Sequence, residues 1–129
     1  HKLQKLMAPL HSPKDYLFQL HATSSGEAKR IWKRSIKEEW DHKCAYCGSE
    51  ENLTLDHIVP QSKGGTDTTK NVICCCHSCN QDKAHTPWED WYSSQSFFNE
   101  ERYKKIKNWI KPDPPMNLYA YRPRRNAAS

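Results

Sequence analysis

The sequence predicts a small α+β domain, with two short strands and a helix pinned by a four-cysteine metal clamp and helices flanking this core on both sides. Three observations carry the prediction. Two Cys-x2-Cys knuckles, Cys44/Cys47 and Cys76/Cys79, bracket the middle of the chain. Between them lie two brief β-prone runs, Leu53-Thr54-Leu55 and Asn71-Val72-Ile73-Cys74. A polar loop from Gln61 to Lys70, containing Gly64-Gly65, separates the runs. Outside the knuckles, apolar residues recur at helical spacing.

The clamp is expected because the middle segment is too small to fold on hydrophobic burial alone. Segments of this size need a metal or disulfides. A tetrahedral zinc site takes two thiolates from each of two tight turns, and Cys-x2-Cys supplies such a turn. Cys44, Cys47, Cys76 and Cys79 are the expected ligands. In the run Cys74-Cys75-Cys76-His77-Ser78-Cys79, Cys75 and His77 stand as alternatives to Cys76, but only Cys76 keeps the x2 spacing. Cys74 and Cys75 read as strand residues packed as small apolar side chains. Four protein ligands leave no open position, so this zinc is structural.

The elements follow in order. Ser12 and Pro13 mark a helix start through Leu20, with a short strand as the alternative. Ser24-Ser25-Gly26 breaks the chain. A helix is expected from about Glu27 to Trp40, because Ala28, Ile31/Trp32, Ile36 and Trp40 fall on one face. Helix formation should resume near Asn80. Thr86-Pro87-Trp88-Glu89 has the marks of a further start, with Thr86 as cap. Ser96 or Asn99 should cap a last helix, Glu100 to Ile110, which Pro112 stops. The aromatics Trp88, Trp91, Tyr92, Phe97 and Phe98 are expected to pack against the Ile31/Trp32 helix. Three regions result: an N-terminal helical flank (1–43), a core (44–86), and C-terminal helices with a basic tail (87–129).

The formal charge of +5 is unevenly spread. Residues 1–43 carry 9 Lys/Arg against 5 Asp/Glu, residues 44–86 carry 3 against 5, and residues 87–129 carry 8 against 5. An acidic centre between basic flanks suits a site carried to a polyanion. Arg30, Lys33, Arg34 and Lys37 in the first flank, and Arg122, Arg124 and Arg125 in the tail, are the candidate phosphate contacts. No apolar run approaches the roughly 20 residues that span a bilayer. The opening residues HKLQKLMAPLHSP lack the apolar stretch of a secretory leader. A protein without membrane contact, in a reducing cytoplasm, is expected, and there knuckle spacing means metal rather than disulfide.

Asp56-His57 follows the first β-prone run. Successive strand residues point to opposite faces, so a kink after Leu55 or at Pro60 is needed if both are to face one site. The stretch Leu55-Asp56-His57-Ile58-Val59-Pro60, with Gly64-Gly65, Asn71 and Cys76-x2-Cys79-Asn80-x2-Lys83, resembles the HNH endonuclease family, built on the ββα-metal fold. The His-Asn-Asn order is also similar to that of the HNH domain in RNA-guided CRISPR nucleases.

The resemblance implies a DNA endonuclease of phage or bacterial homing or nicking type, acting on double-stranded DNA as a monomer or weak dimer. It implies His57 as general base, a role a near-neutral pKa suits. Asp56 and Asn80 would ligate one Mg2+ or Mn2+ through oxygen, with capping of the following helix as the plainer role for Asn80. Asn71 would brace the loop, and Lys83 would contact phosphate. His85 is a reserve ligand should Asn80 not serve. The alternative is a non-catalytic zinc-ribbon nucleic-acid-binding module, but such a binder has no need of the Asp-His-Asn-Asn set.

Overall fold

The computed structural model describes residues 8–112. Five helices and a two-stranded antiparallel sheet make up the described chain: α1 (Pro13–Phe18), α2 (Ser25–Glu39), β1 (Leu53–His57), β2 (Val72–Cys76), α3 (His77–Lys83), α4 (Trp88–Ser93) and α5 (Glu100–Ile110). The loop between the strands contains two 3-10 turns, Gln61–Lys63 and Thr69–Asn71.

Helix α1 begins where Pro13 pre-sets the first turn, and the strand alternative is not realised. Its Tyr16 is buried and donates its hydroxyl proton to Ser35 Oγ at 3.1 Å, tying α1 to α2. Helix α2 starts at a reciprocal cap. Ser24 Oγ accepts from Glu27 N, and the Glu27 carboxylate returns to Thr23 N at 2.8 Å. Ala28, Trp32, Ile36 and Trp40 are buried, as the periodicity predicted. Trp32 is 1% exposed, and its indole N–H donates to Thr69 Oγ1 at 2.8 Å. Thr69 in turn donates its hydroxyl to Leu10 O. One buried threonine thus joins the N-terminal segment, α2 and the inter-strand loop.

The strands extend further than the two β-prone runs. Register pairs Leu53 with Cys76, Leu55 with Cys74, Asp56 with Ile73 and His57 with Val72. All five residues of β2 are buried, so VICCC reads as a continuous apolar run. Cys74 and Cys75 are therefore core side chains, as expected. Helix α3 begins at His77 rather than near Asn80, because Cys76 caps it and its Sγ accepts from Cys79 N. Asn80 is therefore inside the helix and does not cap it. Helix α4 begins at Trp88 with Pro87 at the cap position, one residue later than the Thr86 cap implied. Asn99 caps α5 by accepting from Arg102 N at 2.9 Å.

The C-terminal aromatics do not pack on α2. Trp91 and Tyr92 instead stack around Tyr46 of the first knuckle, with ring centroids 4.9 and 5.2 Å away. Tyr92 donates its hydroxyl proton to Tyr46 O at 2.8 Å. Phe97 and Phe98 close the cluster against Tyr92. Trp109 of α5 reaches Trp40 at the end of α2, at 5.3 Å, while donating to Val72 O at 2.9 Å, and Lys105 lies over the Trp40 ring at 4.4 Å. The helices after the core therefore brace the knuckle more than the first flank.

Trp32→Ala removes a buried ring and leaves Thr69 without its indole donor. A loss of about 3–5 kcal/mol is expected for such a truncation. It should appear as a lower denaturant midpoint, with zinc content unchanged.

Candidate metal centre and active site

The knuckles are built by their own backbones. Cys47 N and Cys79 N each point at the preceding cysteine's sulfur, Cys44 Sγ and Cys76 Sγ, at 3.5 Å. Ala45 N donates to Cys74 O at 2.8 Å, which fastens the first knuckle to β2. The Sγ atoms of Cys44, Cys47, Cys76 and Cys79 all lie within 4.8 Å of one another. Cys47 Sγ and Cys76 Sγ are 3.7 Å apart. A disulfide needs about 2.05 Å. A tetrahedral zinc with Zn–S bonds of about 2.3 Å places its sulfurs about 3.8 Å apart. The four residues therefore fit a metal such as zinc. Neither Cys75 nor His77 belongs to the cluster: Cys75 is buried in the strand and His77 is exposed. Hydrogen bonds from Cys75 and Cys79 hold the Cys44 thiol far below its ordinary range. Burial pushes Cys47 up. A bound dication would draw off the protons that remain.

Asp56 and His57 lie in regular strand, and the kink that would turn both to one side is absent. Asp56 is buried at 6% exposure, with Oδ2 3.2 Å from Lys83 Nζ. Lys83 is 0% exposed. This corrects the expectation that Lys83 meets phosphate, since α3 turns it inward beneath the sheet. The two atoms pair by charge at hydrogen-bond distance, and no other polar partner meets either of them among the described residues. Burial raises the Asp56 carboxyl above its ordinary range, and the Lys83 ammonium only partly offsets this. Asn80 lies three residues before Lys83, on the same face of α3. It is half-buried, and its side-chain amide makes no hydrogen bond among the described residues.

His57 occupies the other side of the strand. Its Nε2 is 2.5 Å from Asp67 Oδ1, which also accepts from Gln61 Nε2 at 3.3 Å. The two residues line a cavity of about 280 Å³ with Lys29, Lys33 and Lys37 of α2. Arg30 is exposed elsewhere on α2, and Arg34 faces a separate hollow beside Tyr16. Arg122, Arg124 and Arg125 lie outside the described residues. His85 is exposed, and its carbonyl accepts from Lys63 Nζ at 3.1 Å.

The loop between the strands is locked by Asn71. Its Oδ1 accepts from Val59 N at 2.9 Å, and its Nδ2 donates to Val59 O and Thr66 O at 3.1 and 2.9 Å. Gly64 adopts φ +92°, which favours glycine. A Cβ on Gly65 would meet Val59 O at 1.7 Å, so that position admits no side chain. Asn71 thus fixes the segments before and after Asp67 without touching His57. Sequence reasoning missed Asp67 and Gln61. Asp67 had one available signal, as the sole acidic residue between Gln61 and Lys70.

Cys44→Ser removes one corner of the cluster and the first knuckle's anchor. Bound zinc and the cooperative thermal transition should be lost together. Metal analysis that finds a folded, zinc-loaded variant would contradict the four-cysteine assignment.

Comparison with known proteins places these features. The sequence profile of the HNH endonuclease family matches residues 44–90. Over 87 residues the chain is 33% identical to the CRISPR-associated endonuclease Cas9 of Corynebacterium diphtheriae, covering 62% of this chain and 8% of that protein. Over 110 residues it is 31% identical to the SPbeta prophage-derived putative HNH endonuclease YoqL of Bacillus subtilis, covering 75% of this chain and 47% of that protein. A Cas9 of Actinomyces naeslundii is 31% identical over 78 residues, covering 55% of this chain and 7% of that protein. The chain spans less than half the length of each of these relatives. With its paired strands, following helix and four-cysteine cluster, the segment from residue 44 to residue 90 is an HNH endonuclease domain.

Proposed function

We propose that the chain is a metal-dependent endonuclease that hydrolyses phosphodiester bonds in double-stranded DNA, with His57 as general base. The observation that carries this is the setting of His57. A carboxylate holds one ring nitrogen, and the cavity around it is lined by three lysines of α2. In the tautomer that donates Nε2–H to Asp67, Nδ1 is left to take a proton from water. Lys29, Lys33 and Lys37 offset the charge of an approaching phosphate. Asn71 keeps Asp67 in register by locking the loop on both sides of it.

The donor set suits a hard divalent cation. Asp56 Oδ2 is a buried oxygen that meets no polar partner but Lys83, and the Asn80 amide is unengaged, among the described residues. Two oxygen donors fit Mg2+ or Mn2+. Asp56 and Asn80 would hold the ion, which supplies charge stabilisation at the scissile phosphate and leaving oxygen. Lys83 neutralises Asp56 meanwhile. The cysteine cluster takes zinc and serves the fold.

One base and one such ion cut one strand at a time, so a monomer nicks, and a double-strand break needs a weak dimer or two events. A homing or nicking enzyme of phage or bacterial origin fits this economy, and the prophage-derived relative supports it. Thiolate ligation suits a reducing cytoplasm. No described helix is long and apolar enough to cross a membrane.

Plasmid relaxation with Mg2+ or Mn2+ tests the proposal. His57→Ala should lower the nicking rate by about 10²–10⁴-fold, the usual contribution of a general base. Zinc content and DNA affinity should stay as in the wild type. Unchanged nicking in His57→Ala would sink the mechanism and leave the non-catalytic binding module.

Asp67→Asn should give a loss in kcat between those of wild type and His57→Ala, with KM nearly unchanged. Asp67→Glu should restore part of it. A faster Asp67→Asn enzyme would mean that the carboxylate blocks His57 rather than orienting it.

A further inference from the structure

The α4–α5 groove is a second charged surface, and the site does not use it. Its cavity is about 620 Å³, with Trp88 and Tyr103 in its lining. Lys104, Lys107 and Lys111 line it together with Asn108. Lys104, Lys107 and Asn108 fall at i, i+3 and i+4 on one face of α5, and Lys111 caps the end of that helix. From Lys104 to Lys111 the face runs about 10.5 Å along the helix axis. That span reaches across neighbouring phosphates of a strand, which are spaced by about 3.4 Å of duplex axis.

We infer that this face of α5 is a phosphate-backbone track for duplex DNA, extending the footprint beyond the cleavage site. The inference rests on the nuclease reading. Lys104 and Lys111 are exposed and make no ion pair among the described residues. Lys107 shares Glu89 with the Tyr103 hydroxyl, at 3.5 and 2.6 Å. That arrangement holds Lys107 at the groove edge and leaves Glu89 as the groove's acidic side chain.

The rings argue for a duplex backbone rather than unpaired bases. Trp88 and Tyr103 lean on each other at 5.5 Å with a 36° tilt and are half-buried. They are not free faces on which bases stack. The groove also adjoins the inter-strand loop. Ile110 lines both this groove and a shallow surface formed by Val59, Gly64, Thr66 and Thr68, in the loop that carries Asp67. The core itself is acidic, so flank cations must supply the attraction.

The test is the salt dependence of affinity for a labelled duplex, read by fluorescence anisotropy. Each phosphate contact contributes about 0.9 to the slope of log K against log salt. Lys104→Gln/Lys107→Gln/Lys111→Gln should make the slope shallower by roughly 2 to 3. Lys14→Gln/Lys43→Gln/Lys105→Gln, with equal charge removed off this face (Lys105 is on α5 but lies over the Trp40 ring), should leave it close to wild type. Nicking at saturating DNA should be unchanged in the first variant. Equal slope changes in both variants, or none in either, would overturn the track. So would loss of saturated rate without a slope change. Wild-type cleavage and His57→Ala report separately on the nuclease reading, so either idea can fail alone.

Discussion

The whole core hangs on four sulfur atoms. Each knuckle is attached to a different part of the site. The first is bonded to β2 through Ala45 and Cys74, and it carries Tyr46, around which the C-terminal aromatics pack. The second ends β2 and caps α3 in one residue, Cys76. A metal joining the knuckles therefore sets the height of α3 against the strands. Zinc binding to structural cysteine sites is worth about 10–16 kcal/mol near neutral pH, more than a small core yields. Any side chain on α3 that faces the sheet inherits its position from that clamp, and Asn80 and Lys83 are two such residues.

The pleat of β1 imposes the second constraint. Asp56 and His57 are neighbours in sequence and point apart. Helix α3 covers the side where Asp56 is buried, and α2 brings its lysines to the side where His57 opens. A unit with strands and one helix would leave His57 on a bare edge. The N-terminal flank thus completes the His57 cavity, and Trp32 and Thr69 hold it there. The acidic middle of the chain acquires its positive wall by packing rather than by composition.

This division explains what could be read from the sequence. Cys-x2-Cys spacing announces tetrahedral ligation by itself, and the α2 periodicity announces its buried face, because both are local. The stop of α5 and its Asn99 cap were legible for the same reason. The burial of Lys83 was not. A lysine ending a short polar helix reads as solvated, and only the register of α3 on the sheet turns it inward. Asp67 was hidden likewise, since its contact with His57 is made by the path of a ten-residue loop. That path depends on Gly65 passing against Val59 O and on the three side-chain bonds of Asn71. The kink expected to bring Asp56 and His57 to one face is likewise not found within β1, because the strand stays regular through His57.

Lys83 shows how the fold tolerates its own chemistry. A carboxylate buried at the Asp56 position is costly. Breaking a buried pair by removing one partner typically costs about 3–5 kcal/mol, whereas an apolar replacement of the whole pair is often neutral. Stability alone therefore gives no reason to keep Asp56 there. Lys83, the one polar partner of Asp56 Oδ2 among the described residues, makes the site tolerable to the fold by neutralising it through a contact of 3.2 Å. Such a contact holds the oxygen less firmly than a saturated network would. A buried carboxylate is thus kept at Asp56 against the local rule, and the Lys83 contact is what the fold sets against that cost.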